Sequence, residues 1–425
     1  MNLYLFNDND SAATYGIGAY INELSQALDG ANIKVHIVHL HSKHSEFEVQ
    51  TCPQNCNVEN WYIPDVFNVN TISDSIQNFE NYYLNIGCLL RLYIKDKTDL
   101  IFHFNYNNCH LLAKELKAAF ECKTVATVHF VRGLLVLNGN YLRWQSLLKK
   151  PVYERSSFEQ KLISTEYYES MLFKEVDKVI ALSQYTRNYL CNDLQVNPER
   201  VTVIPNGLED VLIENGELRM DNVWDSTKNV LREKWHLTQK EKTILFVGRL
   251  HQVKGLSFLI KAFRQVLENM PDCRLIIAGN GDFDTYMQEA KDICMKITFT
   301  GLLEKNELHE LYQLADVGIL PSLTEQCSYV VMEMMMHGLP IITSTASGLA
   351  EMTEDGISGL HVPLIETPEK IEVDSEALAE KLLHLLKNSS EAKRLGINAR
   401  KRYEQIYSID VFRKNMLDFY QSLFK

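Results

Sequence analysis

Two carboxylates, Glu325 and Glu333, stand with seven residues between them in the stretch Leu320-Pro-Ser-Leu-Thr-Glu-Gln-Cys-Ser-Tyr-Val-Val-Met-Glu-Met-Met-Met-His-Gly-Leu-Pro340. An ionised carboxylate only accepts hydrogen bonds, so such a pair suits the hydroxyls of a sugar. Two cations form a second constellation, Arg249 and Lys254, in Val247-Gly-Arg-Leu-His-Gln-Val-Lys-Gly255. Both lie just past an apolar run and just before a helical one, where positive charge opposes the helix dipole unless an anion lies between them. A diphosphate meets that need, with arginine gripping its oxygens in pairs and lysine acting as a point charge. The plainer readings are acidic residues favouring a helix start and two solvated surface cations.

These residues need particular elements behind them. Val317 to Leu320 reads as a buried strand, and Ser328 to His337 reads as a helix stopped by Gly338 and Pro340. Glu325 then sits in the loop at a strand's carboxyl end and Glu333 in the first turns of the next helix. Both can line the crevice where open α/β sheets bind ligands. In the first half, the loop from Asn7 to Tyr15 leads to Gly16-Ile-Gly18, with Ile21, Leu24 and Leu28 following on one helical face. Glycines there let backbone amides approach a phosphate, although the full dinucleotide fingerprint is absent and a tight turn is the plainer reading of the pair.

The chain has 425 residues, 46% hydrophobic, enough for two or three well-filled domains. No run of eighteen apolar residues occurs, and the short apolar start lacks a basic flank, so neither export nor membrane spanning is expected. Nine scattered cysteines, an odd number, point to reduced thiols and a cytoplasmic setting. A formal charge of −12 argues against a nucleic-acid partner.

Strand-like runs alternate with helical segments at Leu3 to Phe6, Val35 to Leu40, Leu100 to Phe104, Thr124 to Val128, Lys178 to Leu182 and Val201 to Ile204. A polar region from Leu208 to Lys242 interrupts them. The alternation resumes at Thr243 to Val247, Arg274 to Ala278, Ile297 to Thr300, Val317 to Leu320, Ile341 to Ser344 and Gly359 to Val362. This predicts two Rossmann-like domains with parallel sheets, spanning 1–207 and 208–405. Residues 406–425 follow as an amphipathic helix, with Phe412, Met416, Phe419 and Tyr420 on one face, expected to pack back on the first domain.

Taken together, the residues resemble the retaining glycosyltransferases of family 4, which have the GT-B fold. The markers are the Gly16 loop, Val128-His129, Ile180-Ala-Leu-Ser183, Ile204-Pro-Asn-Gly207, Gly248-Arg249 to Lys254-Gly255, Ala278-Gly-Asn-Gly281, and Glu325 to Glu333 closing with His337-Gly-Leu-Pro340. The family usually has glycine after the first glutamate, where this chain has Gln326-Cys327-Ser328. The resemblance implies two domains facing across a cleft and transfer of a sugar from a nucleoside diphosphate sugar to an acceptor hydroxyl, with retention and without a metal or other cofactor. It implies that Arg249 and Lys254 neutralise the diphosphate, Glu333 binds the ribose and Glu325 holds sugar hydroxyls. Gly248 opens the phosphate loop, and the backbone amides of Cys327, Ser328, Tyr329 and Val330 approach sugar and phosphate. Leu303 frames the base through its backbone. His129 faces the donor sugar, and Gly16 with Gly18 lets the acceptor reach the anomeric carbon. Acceptors in the family include glycans, lipid-linked glycans, small molecules and peptides.

Several features admit other readings. A nucleotide-sugar epimerase and a non-catalytic nucleotide-sugar-binding protein share the two-domain fold. The triplets Asp8-Asn9-Asp10 and Asp282-Phe283-Asp284 match a metal-binding signature, yet short acidic turns after strands are ordinary. His36, His39, His41 and His44, and the pair Cys52 and Cys56, lack a completing ligand set, so no metal is assigned. The stretch Asn140 to Pro151, with Trp144, Arg143, Lys149 and Lys150, reads as a helix packing its apolar side on the first domain, or as a peripheral contact with the inner face of a membrane.

Overall fold

The computed structural model describes residues 1–7, 16–52, 57–65, 75–96, 98–214, 217–218 and 224–425. The triplet at Asp8, most of the loop before Gly16, and Cys56 lie outside them. The chain forms two compact units.

The first unit comprises Met1–Val131, Val152–Gly207 and Ile409–Lys425. Its sheet has eight strands, β1 (Asn2–Asn7), β2 (Lys34–Ser42), β3 (Glu48–Thr51), β4 (Val58–Pro64), β5 (Leu100–Phe104), β6 (Cys122–Val128), β7 (Lys178–Ala181) and β8 (Val201–Val203). They lie in the order β3-β4-β2-β1-β5-β6-β7-β8. All neighbours are parallel except β3 and β4. Strand β5 is buried along its whole length, as a strand with helices on both faces must be. Phe6 stacks on Phe104 with centroids 5.0 Å apart, beside Phe102 and Tyr4. The helix Ile409–Ser422 buries Phe412, Met416, Phe419 and Tyr420, the residues that periodicity puts on one face. It comes close because Gly207 has no side chain: a Cβ there would lie 2.2 Å from Phe412 Cβ.

The second unit comprises Arg132–Pro151 and Leu208–Ser408. Its main sheet has the strands β9 (Lys242–Val247), β10 (Cys273–Ala278), β11 (Ile297–Gly301), β12 (Val317–Leu320), β13 (Ile341–Ser344) and β14 (Leu360–Val362). They lie in the order β11-β10-β9-β12-β13-β14, all parallel. The order reverses between β9 and β12, so the loops leaving those two strands flank a crevice at their carboxyl ends, where such sheets bind ligands.

All twelve strands expected from the alternation are present. The edge strand β3 and its neighbour β4 were not expected: β3 is exposed at every residue, and β4 buries only Val58, Trp61 and Ile63. The polar stretch from Leu208 to Lys242 contains the helix Trp224–Lys234. One placement needs correction. Residues 132–151 group with the second unit, not the first. The helix Tyr141–Lys149 buries Trp144 and Leu147 there, with Trp144 lying against Gly133. Asn140 caps it and donates to the Thr367 carbonyl at 2.8 Å, and the Leu142 amide donates to Glu366 at 2.8 Å. The apolar periodicity fixed which face is buried but could not say against what.

Candidate functional site

The loop after β9 is held by its neighbours' backbone. Gly248 donates to the Ala278 carbonyl at 2.9 Å, Leu250 to the Asn280 carbonyl at 2.7 Å, and Asp282 returns a bond to Leu250 at 3.0 Å. Gly279 and Gly281 allow this approach: a Cβ would lie 2.0 Å from the Gly248 oxygen in the first case and 2.4 Å from the Leu250 oxygen in the second. The triplet at Asp282 is explained locally, since its side chain caps the helix Phe283–Glu289 by accepting from the Thr285 amide at 3.2 Å.

The same loop then meets the loop after β12. The Leu323 amide donates to the Val253 carbonyl at 2.7 Å. Gly255, left-handed at φ 70°, caps the helix Leu256–Asn269, and a Cβ there would lie 1.9 Å from the Pro321 carbonyl oxygen. This lacing brings Lys254 Nζ onto Glu325 Oε1, which also accepts from Ser322 Oγ at 3.2 Å. Both members of the ion pair are largely shielded, at 19% and 15% exposure, whereas Arg249 is exposed and has no carboxylate partner among the described residues. Their joint field is visible at His251: burial first, then the charges of Arg249 and Lys254, lower its pKa. The loops thus hold one engaged cation, one available cation and a carboxylate.

Ser328 caps the helix Tyr329–Met336, accepting from the Val331 amide at 3.4 Å, while its own amide donates to Met352 Sδ at 3.1 Å. Of the amides expected to face a ligand, that of Ser328 therefore already has a partner. Cys327 is buried; Tyr329 and Val330 are partly accessible at the helix start. Glu333 lies one turn further on. Although the residue keeps some surface, its carboxyl is so enclosed that burial raises its pKa to about 7, against the lowering effects of the Tyr312 hydroxyl and Lys305. Tyr312 donates to Glu333 Oε2 at 2.5 Å. Leu303 is partly exposed between β11 and the helix Lys305–Leu314, next to Gly301, which has φ 75° and open space where a side chain would be.

In the first unit, Gly16 has φ 54° at the start of the helix Ile17–Ala27, with open space where a Cβ would project, and Gly18 is buried two residues on. His129 follows β6. Its Nε2 is 3.1 Å from Asn105 Oδ1, its ring meets Tyr20 edge-on at 4.7 Å, and burial lowers its pKa to about 3, so the imidazole is neutral at ordinary pH. Behind it, Thr127 Oγ1 meets Tyr20 and His103, and His103 Nδ1 meets the Tyr420 hydroxyl at 2.7 Å.

The structure therefore brings Lys254 and Glu325 into contact, gives Arg249 an accessible guanidinium on the same loop, and sets Glu333 in a separate buried network. Sequence reasoning missed Ser322, Tyr312 and the segment 138–139. That segment reaches both site loops: Gln252 donates to Asn138 at 3.1 Å, and a Cβ on Gly139 would lie 2.1 Å from the Leu323 carbonyl oxygen. No motif marks it. A polar surface cleft lined by Lys228, Arg232, Glu241, Lys242 and Asp316 lies at the opposite, amino end of β9 and β12 and is no part of this site. No helix among the described residues is long and apolar enough to cross a membrane.

Comparison with known proteins gives two matched regions. Residues 14–210 match Glycosyltransferase Family 4, and residues 227–402 match Glycosyl transferases group 1. An uncharacterized glycosyltransferase of Methanocaldococcus jannaschii is 32% identical over 191 residues, 44% of this chain and 46% of that protein. The first curated relatives are matched over 46% to 65% of their own length. Among solved structures, sucrose-phosphate synthase from Thermosynechococcus elongatus has TM-score 0.76 and 20% identity over 100% of this chain and 99% of its own. The Anabaena protein HepE, in complex with UDP-glucose, has TM-score 0.69 and 15% identity over 99% of this chain and 100% of its own.

Proposed function

Because the chain belongs to the family 4 glycosyltransferases and has the GT-B fold, we propose that it transfers a sugar from a nucleoside diphosphate sugar to an acceptor hydroxyl with retention of configuration and without a metal ion. The observation that carries this reading is the lacing of the loops after β9 and β12, which joins Lys254 to Glu325 and leaves Arg249 open beside them. An arriving diphosphate has two cations at hand. As its oxygens engage Arg249 and compete for Lys254, Glu325 gains freedom to accept from hydroxyls of the donor sugar. The Anabaena neighbour bound to UDP-glucose supports the choice of donor class.

In the reaction the bond between the anomeric carbon and the phosphate oxygen breaks, and its electron pair goes to the diphosphate. The acceptor oxygen bonds to the same face of the carbon, and its proton passes to the departing phosphate. Fixed cations at that phosphate stabilise the charge that develops there. His129, neutral in its setting, acts as a hydrogen-bonding group rather than as a charged acid. The nine scattered cysteines fit a reducing, cytoplasmic setting.

A thermal-shift screen with UDP, GDP, ADP and TDP, followed by mass spectrometry of products from the matching sugars, tests the donor class. Stabilisation by none of them would sink the proposal. Proton NMR of the product reads retention, and activity unchanged by EDTA reads metal independence. A charge-assisted hydrogen bond contributes about 1.5–3 kcal/mol, so Arg249→Ala is expected to lower turnover by roughly ten- to a hundred-fold or more with the fold intact.

A further inference from the structure

Glu333 is not a lone carboxylate at a helix start. Tyr312, from the helix Lys305–Leu314, donates to Oε2 at 2.5 Å, which commits that oxygen and leaves Oε1 as the acceptor for a ligand. The phenol must be the donor to an ionised carboxylate, since its own pKa is raised well above the usual value, by burial first and then by Glu333. The Tyr312 ring is itself fixed. It stacks on His337 with centroids 5.4 Å apart and planes at 25°, and His337 Nε2 is 2.9 Å from His309 Nδ1. Burial keeps both imidazoles below the ordinary histidine pKa, so one donates to the other as neutral rings. His337 ends the helix that carries Glu333, so Tyr312 is clamped between its own helix and the carboxylate's helix.

We propose that Tyr312 is a positioning residue for nucleotide recognition: its hydroxyl holds Glu333 in one rotamer, so that Oε1 accepts from the ribose hydroxyls. This rests on the reading of Glu333 as the ribose-binding group. The groups facing Glu333 are Tyr312 and Lys305 from the neighbouring helix, with the neutral His309–His337 pair behind the phenol. With a carboxyl pKa near 7, protonation replaces the charged acceptor with a weaker, neutral one as pH falls, and loss of the Tyr312 bond moves that titration upward.

The test measures binding of UDP, GDP and ADP and of their 2′,3′-dideoxy forms by calorimetry, between pH 6 and 8.5, to the full chain and to Tyr312→Phe and Glu333→Gln. For the wild type, the nucleotide that binds should be preferred over its dideoxy form, and this preference should grow with pH. Tyr312→Phe should weaken the ribonucleotide by about ten-fold, leave the dideoxy form unchanged and shift the pH midpoint upward. A Tyr312→Phe protein with the wild-type preference and midpoint overturns the positioning role, even where Glu333→Gln loses the preference and so upholds the ribose reading. If Glu333→Gln keeps the preference, the ribose reading itself is wrong and the proposal goes with it. The wild-type titration decides even without a folded variant, because a preference flat from pH 6 to 8.5 is incompatible with the proposal.

Discussion

Lys254 and Glu325 form a mostly shielded ion pair in which Glu325 also accepts from Ser322. Removing one member of such a pair leaves the other charge poorly solvated, which costs more than the pair's net contribution. The expected consequence is strong non-additivity. Lys254→Met and Glu325→Gln should each lower kcat/KM by roughly ten-fold or more, and the double variant should be little worse than the weaker single one. Steady-state kinetics of the three variants checks this, and multiplicative losses would show that the two side chains act independently. At this scale the sequence was informative about charge and silent about partners. Arg249, Lys254, Glu325 and Glu333 could be singled out because charged residues beside apolar runs are conspicuous. Tyr312 and Ser322 carry no such mark, since a tyrosine in a helix and a serine in a loop are ordinary until the fold sets them 2.5 Å and 3.2 Å from those carboxylates.

Elements convert these contacts into a rigid site through backbone proximity that only glycine allows. Gly139 illustrates it. At φ 87°, packed on the Leu323 carbonyl oxygen, it joins the segment 132–151 to the loop that carries Glu325. Gly139→Ala should therefore act twice: through backbone strain of about 1–3 kcal/mol, read by urea unfolding, and through displacement of residues 322–325, read as lower kcat. A variant with wild-type kcat and the expected strain would mean the loop holds its shape without this contact. The strands were legible because buried parallel strands are continuous apolar runs, as in Leu100 to Phe104. Strand β3, exposed throughout, has no apolar signature and depends on pairing with β4. The helix Tyr141–Lys149 was legible in its periodicity, with Trp144 and Leu147 inward, but its attachment to the second unit depends on Asn140 and Leu142 meeting Thr367 and Glu366, over two hundred residues away. Trp144 and Leu147 are covered, but Leu142, Leu148, Arg143 and Lys149 stay at the surface, so co-sedimentation of Arg143→Glu and Lys149→Glu with anionic liposomes decides the membrane reading: a large loss supports a contact there, and no change counts against it.

Across the whole molecule, each unit is assembled from separated stretches of chain, because 132–151 and 409–425 belong to units that their sequence neighbours do not. The buried titratable groups are divided between these units in a way that makes acid stability unequal. In the first unit His36 is lowered to about 4, and His103 and His129 to about 3, each chiefly by burial. Between those values and the ordinary histidine pKa the unfolded chain binds more protons than the folded one. Stability from these groups is thus complete above about pH 6.5 and falls with acidification, at about 1.4 kcal/mol per pH unit for each group. In the second unit His337 has the same sign, as have His251, His309 and His361, whose pKa values burial also lowers, but Glu333 has the opposite one: with a folded pKa of about 7, it binds its proton more tightly when folded, so its contribution is lost as pH rises toward 7 and regained on acidification and offsets part of theirs. The first unit should therefore open before the second between pH 6.5 and 4.5. Hydrogen exchange followed by mass spectrometry at pH 7.5 and 5, corrected for the intrinsic exchange rate, should show β5 and β6 losing more protection than β12 and the helix Tyr329–Met336. His36→Phe keeps the stack on Tyr4, at 4.2 Å and 6°, and deletes one of the proton sites, so it should flatten the acid slope of the first unit by about one proton. Equal loss of protection in both units, or an unchanged slope in a folded His36→Phe protein, would mean that these buried imidazoles do not govern the acid response.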